Sequence, residues 1–144
     1  MTKYENYLDV ISNDETVSLI EDDSTRLPAA SFPCGKISCI FFNGKHFETD
    51  AERLVALAHE NGHCGCGAFY TIHTPFETRG RCEHKAWKRA IFDLVPFDTL
   101  MDAFDACRTA DGVSEYDLAD YLGVTPEFVL RSAEEYSRLG MMIM

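Results

Sequence analysis

The segment Ala58-His59-Glu60-Asn61-Gly62-His63 sets two imidazoles four residues apart, with a carboxylate beside the first. On a helix that spacing stacks His59 and His63 on one face, one turn apart, so both can close on a single metal ion. Glu60 is rotated to the flank of the pair, where it reaches a water at the metal without being a ligand. The H-E-x-x-H spacing is the one in which two histidines bind zinc and the glutamate serves as general base against a peptide bond. With only five histidines in 144 residues, chance is a weak competitor for this placement.

Two histidines do not hold a catalytic zinc alone; three protein ligands and one open position are the usual set. The third ligand belongs on an element whose apolar stripe packs against the first helix. Residues from Arg81 to Ile91 read as such a helix, with Ala86, Ala90, Ile91 and Leu94 as the stripe. Glu83 falls on that face, one turn before Ala86. Small side chains at Ala86 and Ala90, and the bare Gly62 between the two ligands opposite, permit close approach. Glu83 is therefore the expected third ligand.

Its competitors are His73, His84, Cys64, Cys66 and Cys82. His84 and Cys82 point about 100° away from Glu83 on a helix. Cys64 follows directly on His63 and would strain a tetrahedral site. His73 lies in a loop, from which it could ligate the metal or bond to a reaction intermediate, although a lone loop histidine is more often simply exposed to solvent. A longer pattern with a histidine six residues after the second ligand is excluded, because Phe69 stands there.

A zinc ion so held acidifies a water and polarises a carbonyl. Glu60 would take the water's proton and pass it to the leaving amine. Tyr70, in Gly67-Ala68-Phe69-Tyr70, is a candidate hydrogen-bond donor to the oxyanion, or else an aromatic of the core or cleft.

The helices and strands that carry these side chains follow from pattern. Tyr4 to Ile11 reads as a short amphipathic helix and Val17 to Glu21 as a strand, followed by an acidic, proline-containing connection through Pro33. Gly35 to Phe42 is β-branched and aromatic and ends at the turn signal Asn43-Gly44. His46-Phe47 is expected to begin a returning strand, in a small sheet of two to four strands. Thr49-x-x-Glu52 is a capping box for the helix that carries the motif to His63, which Gly65 and Gly67 should stop. A loop, Ala68 to Thr78, leads to a helix from about Gly80 to Leu94, ended by Pro96. Another helix spans about Asp98 to Arg108. Ser114 caps Tyr116 to Leu122, Gly123 turns the chain, and Thr125-Pro126 opens a helix to Arg138.

The expected fold class is α+β, a zincin-like core with a small β-sheet packed on helices and a C-terminal helical pair. It forms a single domain over 1–144, about 1–108 catalytic and about 109–144 a helix-turn-helix-like tail packed on it.

A net charge of −11 disfavours direct nucleic-acid binding and favours a basic partner, or simply keeps the chain soluble. The final helix pair is itself acidic, which argues for packing rather than DNA docking. No apolar run nears the ~20 residues that span a membrane, and the first residues lack a signal-peptide pattern, so a cytoplasmic location is expected. The six cysteines include no C-x-x-C pair and are expected to be reduced thiols.

Taken together, Leu57-Ala58-His59-Glu60-Asn61-Gly62-His63-Cys64, Gly67-Ala68-Phe69-Tyr70, Arg81-Cys82-Glu83-His84-Lys85-Ala86 with Ala90 and Leu94-Val95-Pro96, and the tail Asp117 to Val129 resemble the ImmA/IrrE family of zinc metallopeptidases. The likeness spans roughly residues 50 to 136. It implies a zinc (Zn2+) endopeptidase that cleaves a helix-turn-helix repressor and so derepresses genes of a phage, a mobile element or a stress response. By the family's motif His59, His63 and Glu83 bind zinc and Glu60 catalyses, in a zincin-like core whose edge strand takes extended substrate. Two positions depart from the family's pattern: Asn61 stands where an apolar residue is usual, and Trp87 where a polar one is frequent, which places a large ring near the site. The rival reading is an antitoxin-like binding module that keeps the metal as scaffold and sequesters a basic partner. The intact Glu60 favours the peptidase. A hydrolase acting on something other than peptides is a weaker third.

Overall fold

The computed structural model describes residues 1–141. Among them the fold is α+β, six helices and a three-stranded mixed sheet. In chain order the elements are α1 (Lys3–Ser12), β1 (Val17–Glu21), β2 (Ala29–Cys34), β3 (Ile37–Phe42), α2 (Asp50–Cys66), α3 (Phe76–Leu94), α4 (Phe97–Cys107), α5 (Glu115–Leu122) and α6 (Pro126–Arg138). Two compact units divide the chain, Met1–Ala90 and Ile91–Met144, with the boundary inside α3. No helix among the described residues is long and apolar enough to cross a membrane.

In the first unit β3 is the central strand, parallel to β1 and antiparallel to β2. Its alternate residues Ile40 and Phe42 are fully buried and pack with Ile11 of α1 and Leu57 of α2. Tyr4, Tyr7 and Leu8 complete the α1 contribution, the helical stripe the sequence shows. The sheet thus has one face on the helices. Burying four such side chains supplies about 6–12 kcal/mol of gross hydrophobic driving force.

Two expectations about strands are corrected. The connection after β1 is shorter than expected, because Ala29–Cys34 forms the strand β2, with Pro33 paired to Ser38. Proline lacks a ladder donor and is tolerated because β2 is an edge strand. The alanines, serine and proline of Ala-Ala-Ser-Phe-Pro-Cys hide its β character from composition. His46-Phe47 does not begin a returning strand: Gly44–His46 forms a 3-10 turn, with the Asn43 side chain accepting from Lys45 N. Arg53 of α2 clamps that turn, donating from Nε to Gly44 O at 2.8 Å and from Nη2 to Phe47 O at 2.7 Å. Those carbonyls are therefore committed to a helix side chain, and Phe47 stacks on Phe42 instead.

α2 starts at Thr49, whose side chain accepts from Glu52 N at 3.1 Å, a cap worth about 1 kcal/mol. The reciprocal bond of the capping box is displaced by one residue, Glu52 accepting from Glu48 N. Gly65 does not stop the helix. Gly67 does, at φ 62°, with Gly67 N donating to Cys64 O and Ala68 N to His63 O. This pair of bonds is a Schellman motif, which needs the left-handed residue that glycine supplies most cheaply. α3 begins at Phe76, earlier than Gly80, because Gly80 is tolerated inside the first turns.

In the second unit the caps fall as read, Ser114 accepting from Tyr116 N and Thr125 from Phe128 N. The amphipathic α6 buries Phe128, Val129, Ala133 and Tyr136. The Tyr136 hydroxyl donates to Val95 O at 2.7 Å, and Phe97 meets its ring edge-on.

Candidate metal centre

α2 and α3 supply the site. Leu54, Val55, Leu57 and Ala58 bury one side of α2, and Ala86 and Ala90 of α3 have no exposed surface. Gly62 sits against the Ala86 backbone. With no side chains between them the two backbones lie close enough for short groups on each to meet.

His59 Nε2 lies 3.0 Å from Glu83 Oε2, and His63 Nε2 lies 3.1 Å from Glu83 Oε1. His59, Glu60 and His63 each present a ligand atom, all within 4.8 Å of one another, so this group could hold a metal ion. The spacing around Glu83 fits such an ion as well. Ligand atoms at 2.0–2.1 Å from a tetrahedral zinc stand about 3.3 Å apart, a few tenths from the separations seen.

The imidazoles are oriented for ligation. His63 Nδ1 is 2.6 Å from the carbonyl of Ala68, so it carries the proton and donates it. That leaves Nε2 as the ring nitrogen facing the Glu83 carboxylate, 3.1 Å from its Oε1. Two electron-rich atoms so placed need a cation, proton or metal, between them. The Schellman turn at Gly67 thus does more than end α2, since it brings the Ala68 carbonyl to the ring and fixes its tautomer. The indole of Trp87, four residues beyond Glu83 on α3, lies against His59 with ring centroids 4.1 Å apart.

Glu60 stands beside the imidazole pair, and its Oε2 accepts from the Ser31 hydroxyl of the sheet at 2.9 Å. Burial raises its carboxyl above the usual range; the Ser31 bond and His63 pull it down, and Glu83 pushes it up again. Tyr70 donates to Glu83 Oε1 at 2.8 Å, and this bond is the first cause that lifts its hydroxyl to about 12. Tyr70 therefore remains a protonated donor through the neutral range.

Glu60, His63, Tyr70 and Glu83 line a cleft of about 210 Å³ together with Ala29, Ala30, Ser31 and Phe69. No protein-family model, curated protein or solved structure matches this chain. The chemistry of the cleft is therefore read from its own atoms.

His73 occupies an exposed turn, its backbone N bonded to Thr71 Oγ1, and is not among the cleft-lining residues. His84 is exposed on α3. Cys64 lines a second cavity with Ser38, Asn61 and Arg89, and burial pushes its thiol up to about 11. Cys82 and Cys66 approach backbone carbonyls of Phe69 and Lys85. Asn61 finds a partner on α1, donating to the Tyr7 hydroxyl at 3.1 Å, which accounts for a polar residue on that side of α2.

Sequence reasoning overlooked Ser31. Its segment reads as a connection, and nothing local signals that it faces Glu60. The large ring that the sequence places near the site at Trp87, one helical turn from Glu83, meets His59.

Proposed function

We propose that this chain is a zinc metallopeptidase, with His59, His63 and Glu83 as ligands and Glu60 as general base. The observation that carries this reading is the approach of both imidazole Nε2 atoms to one carboxylate, with a second carboxylate beside them but bonded elsewhere. Two imidazoles and a carboxylate form a familiar catalytic zinc set. Glu83 is preferred over Glu60 as ligand because it already touches both rings.

When bound, zinc would polarise the scissile carbonyl and acidify the attacking water. Glu60, half-desolvated and fixed by Ser31, would accept the proton and return it to the departing amine. Glu83 would be held for ligation by Tyr70, and His63 by Ala68. The edge strand β2 contributes Ala29, Ala30 and Ser31 to the cleft, so an extended peptide could pair with its backbone as an added strand. This supports a zincin-like core. The substrate class rests on the motif likeness to ImmA/IrrE peptidases, and is a helix-turn-helix repressor.

Zinc-loaded protein is expected to hold one ion per chain and to cleave such a repressor. Glu60→Gln should retain the ion and lose cleavage by about 100-fold or more. A chain that takes up no zinc, or a Glu60→Gln variant that cleaves normally, contradicts the proposal. The chain's net charge of −11 favours one second reading, a module that sequesters a basic partner; tight binding of the partner without cleavage by the zinc-loaded chain would establish it.

A further inference from the structure

Resting on the peptidase reading, we propose that Ser31 is a positioning residue, which aims the Glu60 carboxylate from the edge strand across the cleft. Ser31 pairs with Ile40, so it shares the helix-facing side of the sheet with that buried side chain. From there its hydroxyl donates to Glu60 Oε2 at 2.9 Å. Of the three β2 residues lining the cleft, Ala29 and Ala30 carry no polar side-chain atom. Ser31 is thus the one side chain by which this part of the strand can hold anything polar.

A glutamate has three rotatable bonds, and an untethered one samples several rotamers. Fixing Oε2 selects the rotamer in which the carboxylate stays beside the imidazoles. Its remaining lone pairs are then available to the proton that must move. The strand that would pair with the substrate backbone would thereby also set the base, coupling substrate register to proton transfer. A displacement of about 1 Å in a reacting group can cost about 100-fold in rate.

The test uses the zinc-loaded protein and a fluorogenic peptide library of random sequence. Ser31→Ala is expected to lower kcat about 10-fold with KM nearly unchanged, and Ser31→Thr, which keeps the hydroxyl, to recover most of it. In a Glu60→Gln background the same change should cost nothing further, because the group being aimed is gone. Zinc affinity should be unaltered in all of them. An unchanged kcat in Ser31→Ala, a parallel loss of zinc, or an equal loss in the Glu60→Gln background overturns the proposal.

An infrared arm separates this from the parent reading. The Glu60 carboxylate stretch, isolated by difference against Glu60→Gln, should shift when Ser31 is replaced by Ala. If the zinc-loaded chain cleaves nothing, the peptidase reading fails while this band still decides the contact: a shift upholds the Ser31–Glu60 bond, and an unshifted band removes it and the positioning role with it.

Discussion

Gly62 and Ala86 stand so close that a Cβ on the glycine would meet the Ala86 carbonyl oxygen well inside contact distance, with Ala86 C and Cα at 3.0 and 3.1 Å. The obstacle is helix backbone, which cannot swing aside as a long side chain would. Gly62 lies three residues after His59 and one before His63, so any retreat of α2 from α3 separates the imidazoles from Glu83.

Gly62→Ala is therefore expected to destabilise the fold by about 3 kcal/mol, despite alanine's better helix propensity. The variant that still folds should bind zinc at least about 10-fold more weakly. Chemical denaturation and chelator competition measure the two effects. A variant as stable as the parent would show that α2 and α3 are not held at this separation.

Trp87 offers a direct report on the site, being the single tryptophan of the chain and lying 4.1 Å from the His59 ring, centroid to centroid. Zinc withdraws electron density from a ligating imidazole and fixes its ring. Trp87 emission is expected to change on zinc addition and to saturate at one ion per chain. The change should vanish in His59→Ala. Flat emission in a protein shown to carry zinc would place the ion away from His59.

The Tyr70 hydroxyl and His63 Nε2 converge on the same oxygen of Glu83. Tyr70→Phe removes a donor that orients this carboxylate while leaving the ring in place. Loss of such an outer partner typically weakens metal binding about 10- to 100-fold, and the lower figure is expected because Tyr70 is 40% exposed. Competition against a chromophoric chelator measures this. Unchanged affinity with reduced kcat would instead assign Tyr70 to the oxyanion.

Which parts of this were legible beforehand follows the range of the interactions involved. His59 and His63 are one turn apart, and Glu83 shares a turn with Ala86, so their helical faces could be read from local spacing. Thr49, Ser114 and Thr125 announced their helices because a cap is chemistry between neighbours in sequence. β2 was missed because its identity comes from pairing with β3, and the local residues, with Pro33 among them, argue against a strand. Ser31 was lost with it, since its partner lies 29 residues away. Phe47 misled in the opposite sense: its β-like sequence is overruled by Arg53, six residues on in the chain.

In the second unit, Tyr136 is 2% exposed, and burial, helped by the neighbouring Glu135, pushes its hydroxyl up to about 12. The ordinary tyrosine value is near 10. The folded state therefore keeps its proton where the unfolded chain has released it. Its contribution to stability is complete below pH ~10 and is lost as the pH rises toward ~12. Tyr136→Phe cannot ionise, so its melting temperature should fall less steeply than the parent's over that window. Below it the variant should be less stable by about 1 kcal/mol, because the carbonyl of Val95 loses the donor now 2.7 Å away. Tyr4 and Tyr70 are also raised, and both persist in the variant, so the difference between the two pH profiles isolates Tyr136. Parallel profiles would mean that this hydroxyl reaches water in the folded chain, and that the bond to Val95 does not hold it.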